Sequence, residues 1–305
     1  MSLYDLIIIG GGPAGLTAGL YATRARLKTL LVEKMFLGGQ AASTYLIENY
    51  PGFPEGILGP DLTQAMEKQA KRFGLEVING EVKSINPRQK FWEVGMDEQN
   101  FLTKTIIVAS GVEPVKLGIP GEEELRGRGV SYCATCDGPF FKDQEVGVIG
   151  GGDSAVDEAI YLTRFARKVY LIHRRDSLRA AKILQERARQ NEKITIFWDT
   201  VATKILGQEG VEGLELKNVK TQETKLLPVK GVFFYVGLRP MTNFLKDLIR
   251  LDERGYILTD ENMATSAPGI FAAGDVRQKL LRQVTTAVGD GATAAFAVER
   301  YLENL

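Results

Sequence analysis

Two stretches of the chain share one rhythm of apolar and polar positions. Leu6-Ile7-Ile8-Ile9 is an unbroken apolar run that gives way to Gly10-Gly11-Gly12-Pro13-Ala14-Gly15. Small and apolar residues then recur at helical spacing to about Arg26, and a second apolar run, Thr29-Leu30-Leu31-Val32, ends in Glu33. A strand apolar at successive positions is buried on both faces, as in a covered parallel sheet. The stretch therefore reads as strand, glycine turn, helix, strand. The same order returns in Glu145-Val146-Gly147-Val148-Ile149, the turn Gly150-Gly151-Gly152-Asp153-Ser154-Ala155, a helical segment to about Phe165, and the strand Lys168-Val169-Tyr170-Leu171-Ile172.

Two further apolar runs bracket the second copy. Thr105-Ile106-Ile107-Val108-Ala109-Ser110-Gly111 is a buried strand ending in a turn, and Gly269-Ile270-Phe271-Ala272-Ala273-Gly274-Asp275 repeats that character before a helix from about Thr285 to Tyr301. The simplest arrangement completes the first unit with the C-terminal segment and inserts the second unit between. The fold class is then α/β, with two Rossmann-like three-layer dinucleotide-binding domains, the second inserted into the first. The first is expected over 1–114 and 244–305, the second over 115–243. The two crossings fall near Val112–Gly118 and Gly237–Asn243, both marked by Gly and Pro, and would form a hinge.

The glycines carry chemistry. The first makes a tight turn, the second admits the backbone to a pyrophosphate, and the third, or Ala155 in the second copy, lets helix pack on strand. The pyrophosphate then meets the positive end of the helix. The far ends of the two units differ. Glu33 can accept hydrogen bonds from both ribose hydroxyls and would repel a 2′-phosphate, which suits FAD or NAD. The matching place in the second copy reads His173-Arg174-Arg175-Asp176-Ser177-Leu178-Arg179. Guanidinium groups pair with phosphate oxygens through charge-assisted bonds, so this site points to NADPH. Asp275 follows a buried strand and could accept a bond from a flavin ribityl hydroxyl. The helix after it would aim its positive end at the flavin ring.

Composition narrows the classes. Of 305 residues, 44% are hydrophobic and 25% charged, and Lys plus Arg balance Asp plus Glu at 38 each, so no net charge favours nucleic acid or an acidic membrane. No apolar run reaches the roughly 20 residues of a membrane span, and the start lacks a signal-peptide pattern, so a cytoplasmic protein is expected. The two cysteines, Cys133 and Cys136, stand in Cys133-Ala134-Thr135-Cys136-Asp137. In a reducing compartment a permanent disulfide there is unexpected, whereas a pair cycling between disulfide and dithiol carries two electrons. With one histidine in the chain, no metal site is expected.

Taken together, Cys133-Ala134-Thr135-Cys136-Asp137-Gly138, Gly150 to Ala155 and His173 to Arg179 resemble bacterial low-molecular-weight thioredoxin reductase. The likeness extends through Gly38-Gly39-Gln40, Glu48-Asn49-Tyr50-Pro51-Gly52, Ile119-Pro120-Gly121, Gly274-Asp275-Val276-Arg277 and Arg282-Gln283-Val284-Thr285, in the family's order. The resemblance implies an FAD-dependent, NADPH-driven disulfide reductase acting on thioredoxin, as a homodimer. It places Gly10, Gly12, Pro13, Ala14, Gly15, Glu33, Lys34, Gly39, Gln40, Asn49, Val82, Ala109, Gly111, Gly274, Asp275, Arg282, Gln283 and Val284 on the FAD side. Gly150, Gly152, Asp153, Ser154, Ala155, His173, Arg174, Arg175 and Arg179 fall on the NADPH side.

The resemblance also implies that Cys136 faces the flavin and Cys133 attacks thioredoxin, and Asp137, next to Cys136, is expected to handle the proton. Cysteines on the inserted unit must serve both flavin and thioredoxin, so that unit is expected to rotate about the crossings. Two positions depart from the family pattern. Ser110 stands where Thr is usual, and Pro139 where some members carry an aromatic, leaving Arg128 and Phe140 as expected thioredoxin contacts. A thiol oxidase on the same fold would need neither the second glycine turn nor the arginine cluster.

Overall fold

The computed structural model describes residues 3–97, 99–245 and 247–305. By its internal contacts the chain forms two compact units, Met1–Glu113 with Arg239–Leu305, and Pro114–Leu238. The second boundary falls earlier than the expected 243/244. The reason is visible in the backbone: the Met241 amide donates to the Gly111 carbonyl, the Met241 carbonyl accepts from the Ser110 hydroxyl at 2.7 Å, and the Thr242 hydroxyl donates to the Gly255 carbonyl at 2.9 Å. The chain is thus bonded into the first unit before residue 243. The hydroxyl kept at Ser110 makes one of those bonds.

In the first unit the Leu3–Ile9 strand lies between Thr29–Glu33 and Asn100–Val108, parallel to both. Glu76–Asn79 extends the sheet beyond Thr29–Glu33, and Ile270–Ala272 pairs in parallel with Ile106–Val108. A hairpin, Ser84–Arg88 with Phe91–Gly95, continues the sheet antiparallel. The unbroken apolar run now has its explanation. Leu6 and Ile8 pack with Leu16 and Ala18 of the Pro13–Arg24 helix, while Ile7 and Ile9 pack on the other face with Val82, Ile85, Val94 and Ile257. The 20-residue helix Val284–Glu303 lies on the helical face, and Gly291 lets it come close: a Cβ there would stand 2.2 Å from the Ala14 carbonyl oxygen.

The second unit has a five-stranded parallel sheet in the order Val130–Ser131, Gly231–Tyr235, Glu145–Gly150, Lys168–Ile172, Ile194–Phe197. Val146 and Val148 face Ala155, Val156, Ala159 and Leu162 of the Asp153–Leu162 helix. The opposite face is covered by a three-stranded antiparallel sheet, through Ile205, Leu214, Leu216 and Leu227 against Ile149, Ile172 and Phe234. Both units are therefore three-layered, with β structure as the outer layer here. The crossing strands Val112–Pro114 and Leu238–Pro240 pair as a two-stranded ribbon. No helix among the described residues is long and apolar enough to cross a membrane.

Candidate active site

In the first unit, Gly10 has φ +106°, and a Cβ there would lie 2.3 Å from the Ala109 carbonyl oxygen; one on Gly15 would lie 1.9 Å from the Gly10 carbonyl oxygen. Both glycines are demanded by the protein itself. Gly12 is different: a Cβ there would meet nothing within 4 Å. Nothing in the chain requires that glycine, which leaves room for a ligand to approach the backbone. Gly12 caps the Pro13–Arg24 helix with no side-chain bond, so the first amides of the helix stay available to an anion. The pattern repeats in the second unit. A Cβ on Gly150 would stand 2.5 Å from the Tyr235 carbonyl oxygen, Gly152 faces open space and caps Asp153–Leu162 with no side-chain bond, and Ala155 fills the packing position.

Glu33 is fixed by backbone donors, Gly11 N–H at 2.6 Å to Oε2 and Met35 N–H at 2.8 Å to Oε1. Lys34 forms an exposed ion pair with Glu81. Val82 is buried in the core, Ala109 supplies the carbonyl beside Gly10, and Gly111, at φ +69°, faces open space. Gln40 donates to the Val112 carbonyl, and Asn49 to the Gln283 side chain at 3.1 Å, which also caps the Val284–Glu303 helix. Gly39, near the Gly12 backbone, opens a short helical turn.

Asp275 provides the test of whether a flavin fits. Its Oδ1 is fully buried with no partner, and burial pushes the carboxyl above the ordinary aspartate range against the pull of Lys279 and Arg282. An orphaned buried acceptor at the end of a strand beside the glycine turn suits a ligand hydroxyl donor. The Gly274-Asp275 turn is held by an ionic cluster with no counterpart in the sequence reading. Asp290 accepts from the Gly274 amide at 3.0 Å and pairs with Arg277 at 2.9 Å and Lys279 at 2.8 Å. Arg282 donates to the Asp275 and Arg277 carbonyls and lies over the Tyr256 ring at 4.0 Å.

On the second unit Arg174, Arg175 and Arg179 are exposed, and no ion pair engages them among the described residues. Leu178, buried between them, anchors the loop. Ser154 is exposed at the helix start. Asp153 turns its carboxylate to the Ala181 amide at 2.7 Å, a bond inside the protein. His173, expected on the NADPH side, turns inward. Its ring is buried, with Nδ1 2.9 Å from the Gly150 carbonyl oxygen and Nε2 3.0 Å from that of Ser177.

Cys133 and Cys136 form a disulfide with Cα atoms 5.4 Å apart. Cys133 caps the short turn Ala134–Asp137, and its Sγ accepts the Cys136 amide at 3.2 Å. The Ser131 hydroxyl oxygen accepts the Cys133 amide at 3.0 Å. Tyr235 braces the turn from the neighbouring strand, its hydroxyl oxygen accepting the Ala134 amide at 2.9 Å. Burial, with the charges of Glu158 and Asp137, pushes that phenol well above its ordinary range. A cavity of about 480 Å³ opens beside the turn, lined by Arg128, Ser131, Asp137, Phe140 and Lys230 among others. Arg128 is tied by its guanidinium to the Glu124 and Gln208 carbonyls, and Phe140 is 81% exposed.

Glu158 is a second buried carboxyl, one that no motif in the sequence marks. Its Oε2 has no partner, and burial pushes it up to about 8, assisted by Asp157. An unfolded chain ionises this group at ordinary carboxylate pH while the folded one keeps its proton. Stability therefore falls as pH rises between those limits, by ~1.4 kcal/mol per unit while only the unfolded form is ionised. Urea unfolding of wild type and Glu158→Gln at pH 6 and pH 8 checks this. The variant is expected to lose less stability across the interval; equal losses would refute the assignment.

Comparison with known proteins agrees with these features. A profile described as pyridine nucleotide-disulphide oxidoreductase matches residues 4–291. The chain is 51% identical over 304 residues to the thioredoxin reductase of Listeria monocytogenes, covering 99% of this chain and 95% of that one. It is 48% identical to the Bacillus subtilis thioredoxin reductase, covering 99% and 96%. Among solved structures, Lactococcus lactis thioredoxin reductase superposes with a TM-score of 0.97 at 50% identity, covering 99% of this chain and all of that one.

Proposed function

Because the chain belongs to the thioredoxin reductase family of pyridine nucleotide-disulphide oxidoreductases, we propose that it passes electrons from NADPH through FAD and the Cys133–Cys136 disulfide to oxidised thioredoxin. The observation that carries the reading is the disulfide turn on the unit that also holds the arginine loop, with the Cys136 amide on the Cys133 sulfur. Bound FAD supplies what side chains cannot, the acceptance of a hydride and release of its electron pair.

The first unit is read as the FAD domain and the inserted unit as the NADPH domain. Gly10–Gly15 and the helix after them would hold the pyrophosphate of FAD, Glu33 its ribose hydroxyls, and Asp275 a ribityl hydroxyl. The Gly150–Ala155 turn and Arg174, Arg175 and Arg179 hold NADPH, the guanidiniums gripping its 2′-phosphate.

Reduced Cys133 sits at a cap where an amide hydrogen points at its sulfur, which favours the thiolate. That thiolate attacks one sulfur of the thioredoxin disulfide, forming a mixed disulfide and releasing the other sulfur as a thiolate. Cys136 then attacks the Cys133 sulfur, closing the internal disulfide and freeing the second thioredoxin sulfur. Asp137, whose amide bonds the Cys133 carbonyl, is read as the group that hands protons to the departing sulfurs.

The reading is tested on purified protein by measuring bound flavin and NADPH oxidation with thioredoxin and a disulfide reporter. FAD content near one per chain with thioredoxin-dependent NADPH consumption is expected; flavin without thioredoxin-dependent turnover would refute it. We read the cavity beside the turn as the thioredoxin docking surface, supported by exposed Phe140 and immobilised Arg128. Phe140→Ala should raise KM for thioredoxin about 10-fold and leave flavin reduction by NADPH unchanged. An unchanged KM in steady-state assays would move docking elsewhere. The assembly is read as a homodimer, supported by Tyr21 and Phe296 half-exposed on two helices of the first unit.

A further inference from the structure

We propose that His173 is a positioning residue that laces the glycine turn of the inserted unit to its arginine loop, and that seating a 2′-phosphate on the loop makes the imidazole take up a proton. The inference rests on the reading of this unit as the NADPH site. One ring bridges both halves of that site: Gly150, whose carbonyl faces Nδ1 at 2.9 Å, begins the glycine turn, and Ser177, whose carbonyl faces Nε2 at 3.0 Å, lies between Arg175 and Arg179. The ring fits because Gly151 has no side chain; a Cβ there would stand 2.2 Å from Nδ1.

Two carbonyls demand two donors. A neutral imidazole has a single N–H, so it can serve one carbonyl and must turn a lone pair to the other; only the imidazolium donates to both. Burial holds the ring below the ordinary histidine range against the pull of the Gly150 and Ser177 carbonyls, and Arg179 and Arg175 add to the effect of burial. No carboxylate around it adds to the pull of those carbonyls. Asp153 is engaged with the Ala181 amide, Asp199 is paired with Lys220 at 2.9 Å, the Trp198 indole meets the ring edge-on, and the glycine turn offers only backbone. A phosphate on the arginines cancels their share of what keeps the proton off and leaves the two carbonyls to work against burial alone. The imidazolium then closes both bonds, fixing the turn against the loop around the bound nucleotide. NAD+, lacking that phosphate, leaves the ring as it was. By linkage, affinity for NADP+ gains an increment as pH falls between the free and bound midpoints of His173.

His173 is the single histidine of the chain, so its resonance needs no assignment. Untagged holoenzyme labelled with ¹³C at histidine Cε1 is titrated with acid alone, with saturating NADP+ and with saturating NAD+, and calorimetry gives both affinities. The midpoint is expected to rise by roughly one pH unit with NADP+ and to stay near the free value with NAD+. Tighter binding of NADP+ than NAD+ with an unmoved midpoint would overturn this inference and leave the NADPH reading standing. Equal affinities for the two nucleotides would overturn the NADPH reading and this inference with it.

Discussion

Cys133→Ser is expected to keep flavin reduction by NADPH at the wild-type rate while lowering kcat/KM for thioredoxin by roughly 10⁴-fold or more, the scale seen when a covalent nucleophile is removed. The size follows from chemistry that has no substitute. A serine hydroxyl cannot open a disulfide, and Cys136 lacks what Cys133 has, an amide hydrogen from its own turn on the sulfur. The flavin-side chemistry needs neither the mixed disulfide nor the Cys133 thiolate, so the two half-reactions separate. Stopped-flow absorbance of the flavin follows the first, and thioredoxin turnover the second. Retained thioredoxin turnover would show that Cys136 attacks, and that the cap geometry does not select the nucleophile.

Replacing Arg174, Arg175 and Arg179 together by Gln should lower kcat/KM for NADPH by roughly 10²- to 10³-fold and leave that for NADH unchanged. Each charge-assisted bond to phosphate is worth about 1.5–3 kcal/mol, and losing two to three of them at the lower figure, about 3–4.5 kcal/mol at these exposed positions, sets that scale. The loop itself should survive, because its anchors are Leu178 in the core and the Arg179 amide on the Gly151 carbonyl at 2.7 Å, neither of which depends on a guanidinium. Steady-state kinetics with both nucleotides checks the split. Equal losses for NADPH and NADH would mean a damaged site and no phosphate readout.

Much of this was written in the chain. The apolar runs at Leu6–Ile9 and Val146–Ile149 fix strands buried on both faces, and glycine turns after them fix where a nucleotide can approach. What escaped reading depends on neighbours distant in sequence. Tyr235 braces the redox turn because its strand pairs with Glu145–Gly150 in parallel, opposite Gly150, and no local pattern announces that register. Asp290 reads as an ordinary helix residue until the fold sets it against Gly274, Arg277 and Lys279. The inward turn of His173 did leave a trace. Each unit carries a glycine at the free position of its turn, Gly11 and Gly151, where the fingerprint does not need one. In both, a residue at or just past the end of the second strand folds back onto it: Glu33 accepts the Gly11 amide, and the His173 ring lies where a Gly151 side chain would be.

The claim that electrons reach thioredoxin through flavin and the Cys133–Cys136 disulfide in series has a stoichiometric consequence. Anaerobic titration of the holoenzyme with measured additions of NADPH, the NADP+ formed being removed by hydrolysis without regeneration, counts the electrons the protein accepts. Two equivalents per chain are expected, one for the flavin and one for the disulfide, with the second lost in a Cys133→Ser, Cys136→Ser double variant and with oxidised thioredoxin returning the wild-type flavin to yellow. A single equivalent in both proteins, or a reduced flavin that thioredoxin leaves bleached, would contradict the account.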